Sequence, residues 1–142
     1  MNHPFSIWPS GKVDARSLLE AARKARLFAY APYSGFKVGA ALLTERGEVF
    51  LGCNIENSSY SLTVCAERVA LFSALAAGSG KPAAIAVAGR DGVPCIPCGA
   101  CLQVLAEFNP DFSILLDGES EFVIHRLSDL LPLQFRLERD NS

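Results

Sequence analysis

The chain has 142 residues, half of them hydrophobic and 20% charged, with 13 Lys and Arg against 15 Asp and Glu for a formal charge of −2. That length fits one domain with a sizeable core. The slightly acidic balance and the lack of a Lys/Arg cluster argue against a polyanion as partner, leaving small neutral or cationic substrates open, and no uninterrupted apolar run reaches the roughly 18 residues of a membrane span.

Residues 1–12 carry Pro4 and Pro9 and no signal-like apolar stretch, so they read as a loose tail of a cytoplasmic protein. A single domain is expected over 13–136, with 137–142 as a second tail. Asp14 caps a helix expected to run to about Ala29, with Leu18, Ala22, Ala25 and Ala29 on one face and Pro32 enforcing the stop. Lys37 to Thr44 and Glu48 to Ile55 read as a hairpin joined by Glu45, Arg46 and Gly47. A second helix starts near Cys65 and ends at Gly78. It is apolar almost all round (Val69, Leu71, Phe72, Leu75) and is expected to be buried against a sheet. Ala83 to Ala88 is a strand covered on both faces. Pro97 precedes a third helix from about Cys98 to Phe108, followed by strands at Ser113 to Leu116 and Phe122 to His125 and one helical turn at Leu127 to Leu131. This order predicts an α/β fold with a mixed five-stranded sheet between helices, a three-layer α-β-α arrangement. The apolar fraction is slightly high for a lone soluble domain, which points to apolar surface hidden between subunits.

The chemistry concentrates in Cys65-Ala66-Glu67 and Pro97-Cys98-Gly99-Ala100-Cys101, each at an expected helix start. A Cys-x-x-Cys pair on a first helical turn aims two sulfurs at one point, and Cys65 supplies a third leg of a tetrahedron. Three protein ligands plus water is the catalytic zinc arrangement, whereas a fourth protein ligand closes the site. The positive end of a helix favours thiolates. Three of them overcompensate a divalent ion, and Arg68 is placed to hydrogen-bond a ligand sulfur and offset the excess. Glu67 is not needed for coordination. A carboxylate there can take a proton from the attacking water and return protons to a ring nitrogen and a leaving amine. The order Cys-x-Glu, then Pro-Cys-x-x-Cys, is the signature of zinc deaminases, with the glutamate outside the metal shell.

From Tyr33-Ser34-Gly35-Phe36-Lys37-Val38-Gly39 onward the chain resembles the small homotetrameric cytidine deaminases. The likeness continues through Gly52-Cys53-Asn54-Ile55-Glu56-Asn57, Thr63-Val64-Cys65-Ala66-Glu67-Arg68 and the Pro97–Cys101 motif, and ends around Leu130-Leu131-Pro132 and Phe135. The resemblance implies a cytidine-deaminase-like fold, one zinc ion per subunit, and hydrolytic deamination of cytidine and deoxycytidine in pyrimidine salvage by a homotetramer with shared active sites. It implies that Asn54 and Glu56 hydrogen-bond the ribose hydroxyls and that Phe36 packs against the nucleoside. The backbone at Ala66 and Cys98 then reads the base edge, Phe135 reaches a neighbouring subunit's site, and Tyr60 helps form a shared wall. One departure is Leu102, where many relatives carry Arg after the last zinc cysteine.

Three rival readings stand beside this one. The same machinery can serve another aminopyrimidine nucleoside, such as a nucleoside antibiotic. A catalytically silent zinc protein is a second reading, against which Glu67 speaks and which zinc ligation by Cys95 would revive. A redox switch using Cys95, Cys98 and Cys101 is a third. An iron–sulfur cluster on that C-x-x-C-x-x-C run lacks the further cysteine of the bacterial pattern, since Gln103 to Phe108 supplies none. Cys53 reads as a small buried thiol, and His3 and His125 as structural or solvated.

Overall fold

The computed structural model describes residues 8, 9, 11 and 13–139. Most of the tail assigned to 1–12, with His3, and the final three residues of the one assigned to 137–142 lie outside the described residues. The first helix, α1 (Ala15–Ala25), starts where its sequence demands: the Asp14 carboxylate accepts from Ser17 N at 2.7 Å. Such a cap stabilises a helix by about 1 kcal/mol. The expected end at Ala29 is corrected. The α-helix stops at Ala25 and a tighter turn spans Arg26–Phe28. Tyr30 must already be extended, because its N–H donates to Asn54 O at 2.9 Å and its carbonyl accepts from Glu56 N at 2.8 Å.

The hairpin forms with shorter strands than expected, β1 (Gly39–Thr44) and β2 (Val49–Cys53). Pairing starts at Gly39, not Lys37, because the Asn54 side chain takes over the backbone just before it, accepting from Val38 N at 2.9 Å and donating to Phe36 O at 2.8 Å. The remaining elements are α2 (Ala66–Ala76), β3 (Pro82–Ala88), α3 (Gly99–Phe108), β4 (Ser113–Leu116), β5 (Val123–Arg126) and α4 (Leu127–Leu130). The strands order as β2-β1-β3-β4-β5, with only β3 and β4 parallel, so the sheet is mixed as expected.

Strand alternation divides the core into two layers. Ala41, Leu43, Ala84, Ala86 and Leu115 face α1, packing on Leu18, Leu19 and Ala22. Ala40, Leu42, Ile85, Val87, Ile114 and Leu116 face α2 and α3 on the opposite side. Every residue of β3 is buried, which explains its unbroken apolar run. Two glycines set how closely the helices approach: a Cβ on Gly39 would collide with the backbone of Ala22 and Arg26, and one on Gly52 with that of Ala66 and Ala70. Gly52 therefore lets α2, the helix that carries Glu67, lie directly against the hairpin.

The second helix, α2, is buried against the sheet as expected, but on one face only. Ala66, Ala70, Leu71 and Ala74 face the sheet, whereas Phe72 and Leu75 are exposed in the single chain. A helix lying on a sheet covers one stripe, so apolar residues outside it need another cover.

Candidate active site

The first turns of α2 and α3 meet at one end of the sheet. Cys65 and Cys98 occupy the residue before each helix, in extended conformation, and neither helix start has a side-chain cap. The sulfurs of Cys65, Cys98 and Cys101 all lie within 4.8 Å of one another, the only such metal-competent group among the described residues. A tetrahedral ion with sulfur at about 2.3 Å requires sulfur–sulfur separations of roughly 3.8 Å, so small adjustments bring the three onto a zinc ion. Cys101 is buried, Cys65 half-buried and Cys98 exposed, leaving one flank open.

The electrostatics fit a cation. A hydrogen bond from Cys101 is the main cause that lowers the Cys65 pKa to about 5; burial opposes it and Arg68 assists. The same hydrogen bond and burial push Cys101 upward. Two sulfurs sharing one proton mark a place where a soft divalent ion can replace that proton. Arg68 turns toward them, its Nη2 donating to Cys65 Sγ at 3.3 Å, while its Nε is buried with no hydrogen-bond partner. A half-buried guanidinium held this way needs anionic sulfur beside it.

Glu67, the second residue of α2, is 4% exposed. Burial raises its pKa; its own backbone N–H opposes that shift, and the neighbouring Cys65 thiolate adds to it. A carboxyl lifted in this way holds a proton more readily and can both accept and give one. It opens on a cavity of about 300 Å³ at the sulfur cluster, within the range of small-ligand pockets. Ser34, Phe36, Asn54 and Glu56 line one side, and Cys65, Ala66, Glu67 and Cys98 the other. Val38, Thr63, Cys95 and Ile96 complete the lining. Sequence reasoning assigned none of these four to a substrate, since an apolar or hydroxyl side chain carries no local sign of facing a cavity.

The loop over 33–38 is held from below. Glu56 accepts from the backbone N–H of Tyr33 at 2.9 Å and Ser34 at 3.1 Å, and from the Ser34 hydroxyl. The Ser34 hydroxyl is the main cause holding the Glu56 carboxyl below its ordinary pKa. Asn54 fixes the other end of the loop, as described above. Tyr60 lies outside the cavity and lines an adjoining groove with Tyr33 and Thr63, its ring centroid 5.8 Å from that of Tyr33. Phe135 is 72% exposed and also lies outside; its carbonyl accepts from Gln103 Nε2 at 3.0 Å. Cys95 faces the cavity and is not in the three-sulfur group; burial pushes its thiol up to about 11, aided by the charges of Glu67 and Cys65. Leu102, on α3, is buried in the core cluster that α2 and α3 form with the sheet.

Residues 12–115 match the zinc-binding region of cytidine and deoxycytidylate deaminases. The cytidine deaminase of Sporosarcina psychrophila is 53% identical over 130 residues, covering 89% of this chain and 94% of that protein. Among solved structures, the Burkholderia pseudomallei cytidine deaminase superposes with a TM-score of 0.82 at 53% identity, over 87% of this chain and all of the other. The Mycobacterium tuberculosis cytidine deaminase gives 0.79 at 42% identity, over 89% of this chain and all of the other.

Proposed function

The chain belongs to the cytidine deaminase family, and from that premise we propose that it hydrolyses the C4 amine of cytidine and deoxycytidine, giving the uridines and ammonia, with Glu67 as its proton carrier. One zinc ion per chain, held by Cys65, Cys98 and Cys101, supplies Lewis acidity and a reactive water at neutral pH when bound. Glu67 accepts the proton released as water adds to C4 and delivers it to the ring nitrogen N3. It then carries a second proton to the departing amine, so that oxygen remains on C4 and nitrogen leaves as ammonia. Its raised pKa suits both directions of transfer. Arg68 stabilises the sulfur cluster as a cation beside Cys65.

Phe36 forms one wall for the base, and the backbone at Ala66 and Cys98 reads its edge. Glu56 accepts from the ribose hydroxyls with the lone pairs its loop contacts leave free. Asn54 shares that role while its amide holds Phe36 and Val38. Phe135 and Tyr60 complete the pocket of neighbouring chains in a homotetramer, a reading supported by their exposure and by that of Leu27, Phe28, Phe72 and Leu75. Residues 13–136 form the catalytic domain between two tails. The free cysteines at the metal site support a cytoplasmic setting, and the proposed reaction is one of pyrimidine salvage. No helix among the described residues is long and apolar enough to cross a membrane.

The observation that carries this reading is a buried glutamate opening on a nucleoside-sized cavity beside three converging sulfurs. The test is Glu67→Ala, assayed by the ultraviolet change of cytidine in a zinc-quantified preparation. The variant is expected to keep its zinc and lose turnover by about 10²–10⁴-fold. Substantial retained turnover removes Glu67 from the mechanism.

A further inference from the structure

We propose that Gly89, clamped by Arg26, is a positioning residue that sets the wall of the nucleoside pocket by admitting Phe36 and Cys95 against a backbone without a side chain. This rests on the proposed role of Phe36 in holding the nucleoside. Gly89 follows β3 directly and is buried. Its conformation does not demand glycine, since it is not among the residues with positive φ. Space does. A Cβ there would stand 3.0 Å from Phe36 Cζ, 3.2 Å from Cys95 Cβ and 3.3 Å from Cys95 Sγ. Both neighbours line the cavity, so any side chain at position 89 is felt at the substrate wall.

The clamp comes from the distant end of α1. Arg26 Nη1 donates to Gly89 O at 2.6 Å, and its Nη2 pairs with Asp91 Oδ1 at 2.7 Å. A guanidinium with two fixed directions holds both the height and the rotation of the chain leaving β3. That same segment carries Cys95 and leads to the ligand Cys98. On the outer side, the Arg90 guanidinium lies 5.7 Å from the Phe36 ring centroid, a cation–π contact that discourages the ring from swinging outward. Phe36 is thus bounded by two consecutive residues of the β3 exit, Gly89 by its missing side chain and Arg90 by its charge, while Asp91 anchors the Arg26 that holds Gly89.

Gly89→Ala is expected to displace the Phe36 ring, raising KM for cytidine about tenfold while kcat stays within twofold and zinc remains at one per chain. A purely structural role would lower zinc content or kcat as well. In a Phe36→Ala background the ring is gone and only the contact with Cys95 remains, so Gly89→Ala is expected to add less than a threefold rise. A KM for Gly89→Ala within twofold of wild type, or effects of the two substitutions that simply multiply, overturns the proposal. If Gly89→Ala does not fold, Arg26→Gln and Arg26→Lys decide it: KM rises with Gln and is partly restored by Lys, whereas equal KM for wild type and Gln overturns the clamp. Zinc-loaded wild type that leaves cytidine untouched defeats the deaminase reading itself, which separates that failure from failure of the clamp.

Discussion

Arg68, the third residue of α2, reaches back from the first turn to Cys65 Sγ at 3.3 Å, just before the helix start. Leu102 is buried in the core, and the Arg68 guanidinium is the cation hydrogen-bonded to the sulfur cluster. Removing it leaves the three-sulfur site more negative, so water there gives up its proton less readily. Arg68→Ala is therefore expected to shift the acid limb of the pH–rate profile to higher pH, by about one unit if the lost interaction is near 1.4 kcal/mol. An unaltered profile would dismiss the tuning role. Cys95 faces the same cavity without joining the sulfur group, which speaks against the silent, four-ligand reading.

Between elements, a second pair of charges ties α1 to the end of β4. Arg23 donates through Nε at 3.2 Å and Nη2 at 2.8 Å to Asp117 Oδ2, and the aspartate is nearly fully buried. Burial alone raises the Asp117 pKa, but Arg23 and the N–H groups of Gly92 and Gly118 outweigh it and hold the carboxyl below the usual range. A depressed folded pKa contributes stability that is complete above the unfolded value, near 3.9, and is lost as pH falls through the folded value. Asp117→Asn is expected to cost about 2 kcal/mol at pH 7. The gap from wild type should close as the pH is taken below about 4, as read by urea denaturation. A gap unchanged at pH 3 would show that the charge is not what stabilises this contact.

The whole molecule leaves much apolar surface uncovered, with Phe28 at 80% and Tyr60 at 75% exposure alongside Phe72 and Leu62. Large apolar side chains this exposed are more usual at subunit contacts than in water. Sedimentation is expected to give four chain masses. Phe135 sits outside its own chain's cavity, so Phe135→Ala is expected to raise KM for cytidine several-fold with zinc content and thermal stability unchanged. A KM equal to wild type would leave the shared pocket without its proposed contact.

What the sequence determined by itself is local. Asp14 before Ala15, Gly47 in the hairpin turn, the unbroken apolar run of β3, and cysteines placed at two helix starts are all written in neighbouring residues. Short spacings mark Cys65 with Glu67 and Cys98 with Cys101, and the fold brings the three cysteines together. The early end of α1, the bare face of α2 and the lining at Val38, Thr63 and Ile96 were decided only by tertiary structure. So was the clamp that joins residue 26 to residues 89 and 91. Each of these depends on which distant surface arrives opposite a side chain, and a pattern of three to four residues carries no information about what lies across a sheet.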